Sequence, residues 1–149
     1  MIIRIAKFED AASLVEFNQA MALETEGRRL DAQLLKSGVE GVFRDENKGF
    51  YVVAESDGGA IAGGLMVTFE WSDWRDAWFW WIQSVYIMPE SRGQGIYRRL
   101  YNFVKEKAKE RDDVCGFRLY VETENERAQR VYEKLGMQKS HYLMFEEMI

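Results

Sequence analysis

The sequence has little of what holds small secreted, metal-dependent or membrane proteins together. Its 149 residues include one cysteine, Cys115, one histidine, His141, and one proline, Pro89. A lone cysteine forms no internal disulfide, and one Cys with one His excludes a zinc cluster built from this chain alone. No apolar stretch approaches the roughly 20 residues of a bilayer-spanning helix. The start, Met1-Ile2-Ile3-Arg4, lacks a signal-peptide layout. The expectation is therefore a cytoplasmic protein with no membrane partner and no metal. Positive charge is short as well: 20 basic against 25 acidic residues give a net charge of −5, which does not favour nucleic acid. What is present is core material. Hydrophobic residues at 47% and aromatics at 14% exclude a disordered chain, and the length predicts one domain over residues 1–149.

Taken in order, Met1 to Ala6 fits a first strand. Phe8, Ala11, Leu14, Val15, Phe17, Met21 and Leu23 recur at helical spacing, with Glu9 and Asp10 in the first turn and Glu24 to Gly27 closing the helix. A second helix covers Asp31 to Lys36 or continues through Arg44, with Gly38 and Gly41 weakening it. Phe50–Glu55 and Ala60–Trp71, joined by Ser56-Asp57-Gly58-Gly59, read as a hairpin. A polar turn through Asp76 leads into Ala77–Ile87, apolar enough for a central strand covered on both faces. A helix from Ile96 to about Arg111, a strand Val114–Val121, a helix Asn125–Leu135 capped by Gly136 and a last strand Ser140–Met148 complete a mixed α/β domain.

The chain is organised around Gln83 to Leu100. Val85, Tyr86 and Ile87 favour an extended backbone, and Pro89 ends the strand. Gly93 and Gly95 permit a sharp turn and close approach of a ligand to the backbone. A helix opening at Ile96 aims unpaired N–H groups and partial positive charge at that turn, an anion site. A phosphate-binding P-loop requires Lys-Ser/Thr after its last glycine, whereas Gly95 is followed by Ile96 and Tyr97. The dinucleotide fingerprint requires a third small residue where Arg98 stands.

Arg92-Gly93-Gln94-Gly95-Ile96 instead resembles the acyl-CoA signature of the GCN5-related N-acetyltransferases (GNAT), Arg/Gln-x-x-Gly-x-Gly/Ala. Arg92 and Gly95 match, and Tyr97 departs at the third marked position. A second stretch resembles the family's Asn-x-x-Ala-x-x-Leu/Phe-Tyr-x-x-x-Gly-Phe, through Asn125, Ala128, Tyr132 and Gly136, with Val131 and Met137 as apolar variants. The resemblance implies the GNAT fold, a mixed and mostly antiparallel sheet flanked by helices. It also implies transfer of an acetyl group from acetyl-CoA to an amine by direct attack in a ternary complex. The pantetheine arm would pair with the backbone of Val85, Tyr86 and Ile87, the diphosphate would lie on Gln94, Gly95, Ile96 and Tyr97, and Arg92 and Gly93 would belong to the same cofactor site. Arg98, with Arg99 beside it, would assist with the phosphates, and Asn125 and Arg127 would lie near the cofactor. Tyr132 would hydrogen-bond or protonate the departing thiolate.

The base is less defined. A primary alkylamine has a pKa of about 10.4, so near pH 7.4 about one molecule in a thousand is nucleophilic, a cost of about 4 kcal/mol. Some relatives place a Glu where this chain has Gln83, and an amide takes no proton, though it can hold a relay water. Glu24, Glu26, Glu70, Asp73 and Asp76 are the carboxylates that could serve as base or hold a cationic acceptor, polyamine-like or an amino-sugar. Glu24 and Glu26 act together only if the helix has ended before them. Trp78 and Trp80 should face one side of the central strand, Phe79 and Trp81 the other. Cys115 reads as core and His141 as a strand residue remote from the chemistry. Three other possibilities remain open: a non-catalytic acyl-CoA-binding module, a protein lysine or N-terminal acetyltransferase, and a homodimer formed through the aromatic β segment.

Overall fold

A computed structural model describes all residues from Met1 to Ile149, which fall into two compact units, Met1–Leu119 and Tyr120–Ile149. The first unit is built on five strands that lie side by side in chain order: β1 (Ile2–Ile5), β2 (Phe50–Glu55), β3 (Ile61–Ser72), β4 (Ala77–Ile87) and β5 (Val114–Arg118). β1 to β4 are antiparallel neighbours, and β5 runs parallel beside β4. This is the expected mixed α/β class with a mostly antiparallel sheet.

Helix α1 (Ala11–Glu26) follows a 3-10 turn, Phe8–Asp10. The Asp10 carboxylate fixes that turn: it accepts the Lys7 N–H at 2.7 Å and two N–H groups of Arg4 at 2.7 and 3.0 Å. The helix runs to Glu26 and ends at Gly27, whose φ of 64° favours a residue without Cβ. Helix α2 (Ala32–Arg44) starts where the Asp31 carboxylate accepts the Leu34 N–H at 2.8 Å. It continues past Gly38 and Gly41 to Arg44 because Val39 is buried and Val42 and Phe43 pack on the core. That contact outweighs the roughly 1 kcal/mol each glycine costs a helix.

Residues opposite each other in the ladder share a face of the sheet. One face carries Phe50, Val52, Leu65, Val67, Phe69, Trp80 and Phe117. Phe50 and Phe69 pack on Trp80 with ring centroids 5.3 and 6.0 Å apart. Helix α3 (Ile96–Lys109) covers this face with Leu100 and Val104, both fully buried, and with Tyr101 edge-on to Phe117 at 5.7 Å. The other face carries Tyr51, Val53 and Tyr86, packed against Leu14 and Phe17 of α1 and Val39 of α2. Trp78 and Trp80 do alternate with Phe79 and Trp81 along β4. The expected cover on both faces is partial: Trp80 and Ile82 are buried on the α3 side, whereas Trp78 there and Phe79, Trp81 and Gln83 on the other side are half-buried.

Three local expectations are corrected. β5 stops at Arg118 rather than Val121, and Cys115 is exposed on this short edge strand, its thiol donating to the Trp78 carbonyl at 3.3 Å. Ser140–Met148 forms no strand. In the second unit α4 (Glu126–Lys134) is the one regular element, so the segment has no strand there to pair with. Extended propensity alone does not make a ladder. His141 accordingly sits in an exposed, irregular segment.

Candidate active site

Strand β4 pairs with β5 only from Trp78 to Trp81, opposite Val114 to Arg118. From Ile82 to Ile87 no strand of the sheet runs along its outer edge. A one-turn 3-10 segment, Pro89–Ser91, then leads into the glycine turn and α3. Gly93 and Gly95 sit at φ 78° and 72°, and a Cβ at Gly93 would meet nothing within 4 Å. Gly95 is the N-cap of α3 and supplies no side-chain cap, so the first-turn N–H groups are offered to whatever anion lies on the turn. The Arg98 guanidinium lies beside this turn, with Nη2 3.6 Å from a Cβ built on Gly95. Tyr97 does not fill the turn: its ring stacks on Tyr101, one helical turn along α3, at 6.1 Å and 5°. An open strand edge leading to an uncapped helix N-terminus fits the pantetheine arm and diphosphate of an acyl-CoA.

Inward of that edge, the ladder shifts register between Gly64 and Met66, so Gly64 faces Tyr86 while Met66 faces Gln83. Ser84 takes up the extra residue at φ 51°. Without this bulge Gln83 and Tyr86, three apart, would point to opposite faces. With it both reach the face covered by α1 and α2.

Tyr86 anchors the C-terminal end of α1. Its hydroxyl donates to Glu24 Oε1 at 2.9 Å, while Arg92 Nη2 donates to Glu24 Oε1 and Oε2 at 3.1 and 2.9 Å. Arg92 Nε donates to the Ile87 carbonyl at 2.9 Å, and the guanidinium lies 5.4 Å over the Tyr86 ring. Partial burial raises the Glu24 carboxyl, but the hydrogen bonds from Tyr86 and Arg92 together outweigh it and hold the group below the usual carboxylate range. A carboxylate so held is a weak proton acceptor. Burial, and then Glu24, push the Tyr86 phenol up. Arg92 thus spends its side chain tying α1 to the glycine turn, and the Ile87 carbonyl is taken by Arg92.

The other acidic candidates are scattered or already paired. Because α1 continues through Glu26, Glu24 and Glu26 leave the helix on different sides, and Glu26 binds Arg28 at 2.7 Å. Glu70 accepts the Trp81 indole N–H at 3.0 Å and Arg118 Nη1 at 2.5 Å, with the Arg118 guanidinium 3.7 Å over Phe79. Asp73 and Asp76 stand exposed in the β3–β4 turn. Gln83 donates from Nε2 to Thr68 Oγ1 at 2.6 Å, leaving its amide oxygen to accept. Thr68 also lines a cleft of about 510 Å³ between α1, α2 and the sheet, with Leu30, Leu34, Leu35, Val39 and Met66 among its walls.

In the second unit, Asn125 caps α4, its Oδ1 accepting the Ala128 N–H at 3.1 Å. Gly136 closes the helix at φ 93°. Burial pushes the Tyr132 phenol up, so it carries its proton at neutral pH. Arg127 is exposed. Sequence reasoning missed Thr68, Ser84, Arg118 and Leu34. Thr68 matters through the β3–β4 register, and Arg118 through a partner 48 residues away. Ser84 gives no sign of a left-handed backbone, a conformation usually marked by Gly or Asn. Leu34 had a signal, an apolar residue early in an amphipathic helix.

Comparison with known proteins agrees with this geometry. The family model described as "Acetyltransferase (GNAT) family" matches residues 11–137. The fold is similar to the crystal structure of a possible acetyltransferase from Clostridium difficile 630, at 40% sequence identity and a TM-score of 0.91 over 99% of this chain and 97% of that one. It is also similar to a predicted acetyltransferase with acetyl-CoA from Clostridium acetobutylicum, at 20% identity and a TM-score of 0.77 over 97% and 95% of the two chains. The ribosomal-protein-alanine N-acetyltransferase from Brucella melitensis biovar Abortus 2308 shares the fold at 17% identity, with a TM-score of 0.77 over all of both chains.

Proposed function

The chain belongs to the GNAT acetyltransferase family, and from that premise we propose that it transfers the acetyl group of acetyl-CoA to a primary amine by direct attack in a ternary complex. The observation that carries the reading is the outer edge of β4, left by β5 after Trp81 and leading into the glycine turn at the start of α3. Acetyl-CoA, when bound, supplies an activated thioester carbon. Val85 and Tyr86 offer backbone groups along the pantetheine. Gly93 to Tyr97 offer backbone N–H groups to the diphosphate, with Arg98 alongside; the family resemblance assigns Asn125 and Arg127 to the cofactor as well. Arg92 acts indirectly, by holding the turn against Glu24.

In the transfer the neutral amine nitrogen forms a bond to the acetyl carbon and gives its proton to solvent water, while the carbon–sulfur bond breaks and the sulfur takes a proton from a phenol that solvent then reprotonates. Tyr132 donates the proton to sulfur. The match of Tyr132 to the family's tyrosine position supports that role, and a positioned acid contributes about 10²–10⁴-fold in rate. Gln83 orients the incoming amine through its free amide oxygen. Glu24 is engaged by Tyr86 and Arg92, which argues against it as the base, and the amine enters as its neutral form. The carboxylates that recommended a polycationic acceptor are largely committed: Glu24, Glu26 and Glu70 each bind an arginine. Trp71 and Trp74, exposed at 47% and 85% beside the β3–β4 turn, support a homodimer through the aromatic β segment, which sedimentation equilibrium tests. No helix is long and apolar enough to cross a membrane.

Initial rates of thiol release test the reaction. Varying acetyl-CoA at several amine concentrations should give intersecting double-reciprocal lines. Parallel lines would indicate an acetylated enzyme and contradict direct attack.

A further inference from the structure

The cleft between α1, α2 and the sheet reaches Thr68, the hydrogen-bond partner of Gln83. Its volume of about 510 Å³ lies within the roughly 300–1,000 Å³ of small-molecule sites. The walls are mainly apolar, from Leu30, Leu34, Leu35, Val39 and Met66 with the Tyr51 ring, and Leu34 stands 74% exposed at the cleft although α2 has a core face of its own to bury. The two charged side chains on the lining are already committed, Asp31 to capping α2 through the Leu34 N–H and Lys48 to Asp45 at 2.7 Å. They are also opposite in sign, so the cleft offers a polycation no net counter-charge. The Thr68 end is polar instead, through its bond to Gln83; Asn18, whose amide donates to the Leu14 carbonyl, and Tyr51 are the other uncharged polar side chains on the lining. Gln83 lies just past the point where β4 parts from β5, so this polar end adjoins the strand edge assigned to the donor.

We propose that the acceptor is a primary amine with a neutral apolar body, an arylalkyl or branched-alkyl amine, seated with its nitrogen at the Gln83–Thr68 end of this cleft. The inference rests on the acetyl-transfer reading above and specifies its substrate. It also accounts for the absence of a dedicated base. Transfer from water to an apolar wall disfavours the ammonium and favours the free amine, the form that attacks. Contact between the body and the cleft is then spent on selecting that form, and binding away from the reacting atom serves the chemistry. Gln83 Oε1 accepts one N–H of the neutral amine, orienting its lone pair without removing a proton.

The test is thiol release from acetyl-CoA with 2-phenylethylamine and isoamylamine against spermidine and glucosamine. It is run at one pH on the whole protein and on Leu34→Glu, with calorimetric titration of acetyl-CoA for both. Leu34 is exposed, so its replacement leaves the fold intact. The expected result is kcat/KM at least tenfold higher for the apolar amines. In Leu34→Glu that advantage should shrink by about tenfold with acetyl-CoA affinity unchanged. Normal acetyl-CoA binding with spermidine or glucosamine preferred, with no amine turned over, or with an unaltered preference in Leu34→Glu overturns the inference and leaves the donor site standing. Loss of acetyl-CoA binding in the unaltered protein overturns the acetyl-transfer reading and this inference with it.

Discussion

The two faces of the sheet are built from the same strands but put to different uses. On the α3 face, Phe50, Phe69 and Trp80 meet ring to ring and Leu100 and Val104 are sealed from water. On the α1–α2 face, the strands present Thr68, Glu70, Trp81, Gln83 and Arg118, joined by side-chain hydrogen bonds and bordered by an open cleft. Alternation along a strand lets one β4 serve both: Trp80 and Ile82 are buried, while Trp81 and Gln83 stay half accessible. Both faces carry core packing, but the side-chain hydrogen bonds and the cleft of the proposed acceptor site lie on the α1–α2 side, where the Ser84 bulge adds Tyr86.

The difference can be broken most forcefully from the α3 side. Trp80→Ala removes the ring on which Phe50 and Phe69 pack and should cost about 3–5 kcal/mol, lowering Tm by about 10 °C in a thermal scan. On the other face the Arg4–Asp10 pair clamps the start of α1, and Asp10→Asn should cost about 2 kcal/mol. Its hydrogen bond from Arg4 holds the Asp10 carboxyl below 3.8 in the folded protein. That contribution is therefore present above the unfolded value and lost as pH falls through the lowered folded one. Unfolding followed from pH 6 to 2 should show a shallower acid decline in Asp10→Asn than in the parent.

Gln83→Leu sharpens the contrast from the functional side. Stability should change by less than about 1 kcal/mol, because both residues fill similar space, while kcat/KM falls about tenfold, about 1.4 kcal/mol of transition-state stabilisation. A fall in Tm without a kinetic effect would place Gln83 with the scaffold. Smallest of all, Glu26→Gln breaks only an exposed pair with Arg28 and should change stability by less than about 0.5 kcal/mol, with turnover unaltered. A large kinetic effect there would return Glu26 to the acceptor site.

Most of this contrast was legible in the sequence wherever it depends on local pattern. The hairpin at Ser56–Gly59, β4 from Ala77 to Ile87 and the glycine turn before α3 all stand where alternation, Asp-Gly-Gly and a strand-turn-helix order put them. The long form of α2 was one of two readings, decided by the packing of Val39, Val42 and Phe43 rather than by propensity. What local pattern does not carry is partnership. Arg92 binds Glu24, 68 residues away, and Arg118 binds Glu70, 48 residues away, so carboxylates that looked free for an ammonium are spoken for. Ser140–Met148 shows the same limit: its residues favour a strand, but a strand exists only with a neighbour.

The central claim is that the β4 edge and the glycine turn together bind acetyl-CoA, and thermal unfolding of the whole protein with and without acetyl-CoA tests it most directly. At about a hundred times its dissociation constant the ligand should stabilise the fold by about 2.7 kcal/mol, raising Tm by about 8 °C. An unchanged Tm at millimolar acetyl-CoA would contradict the claim.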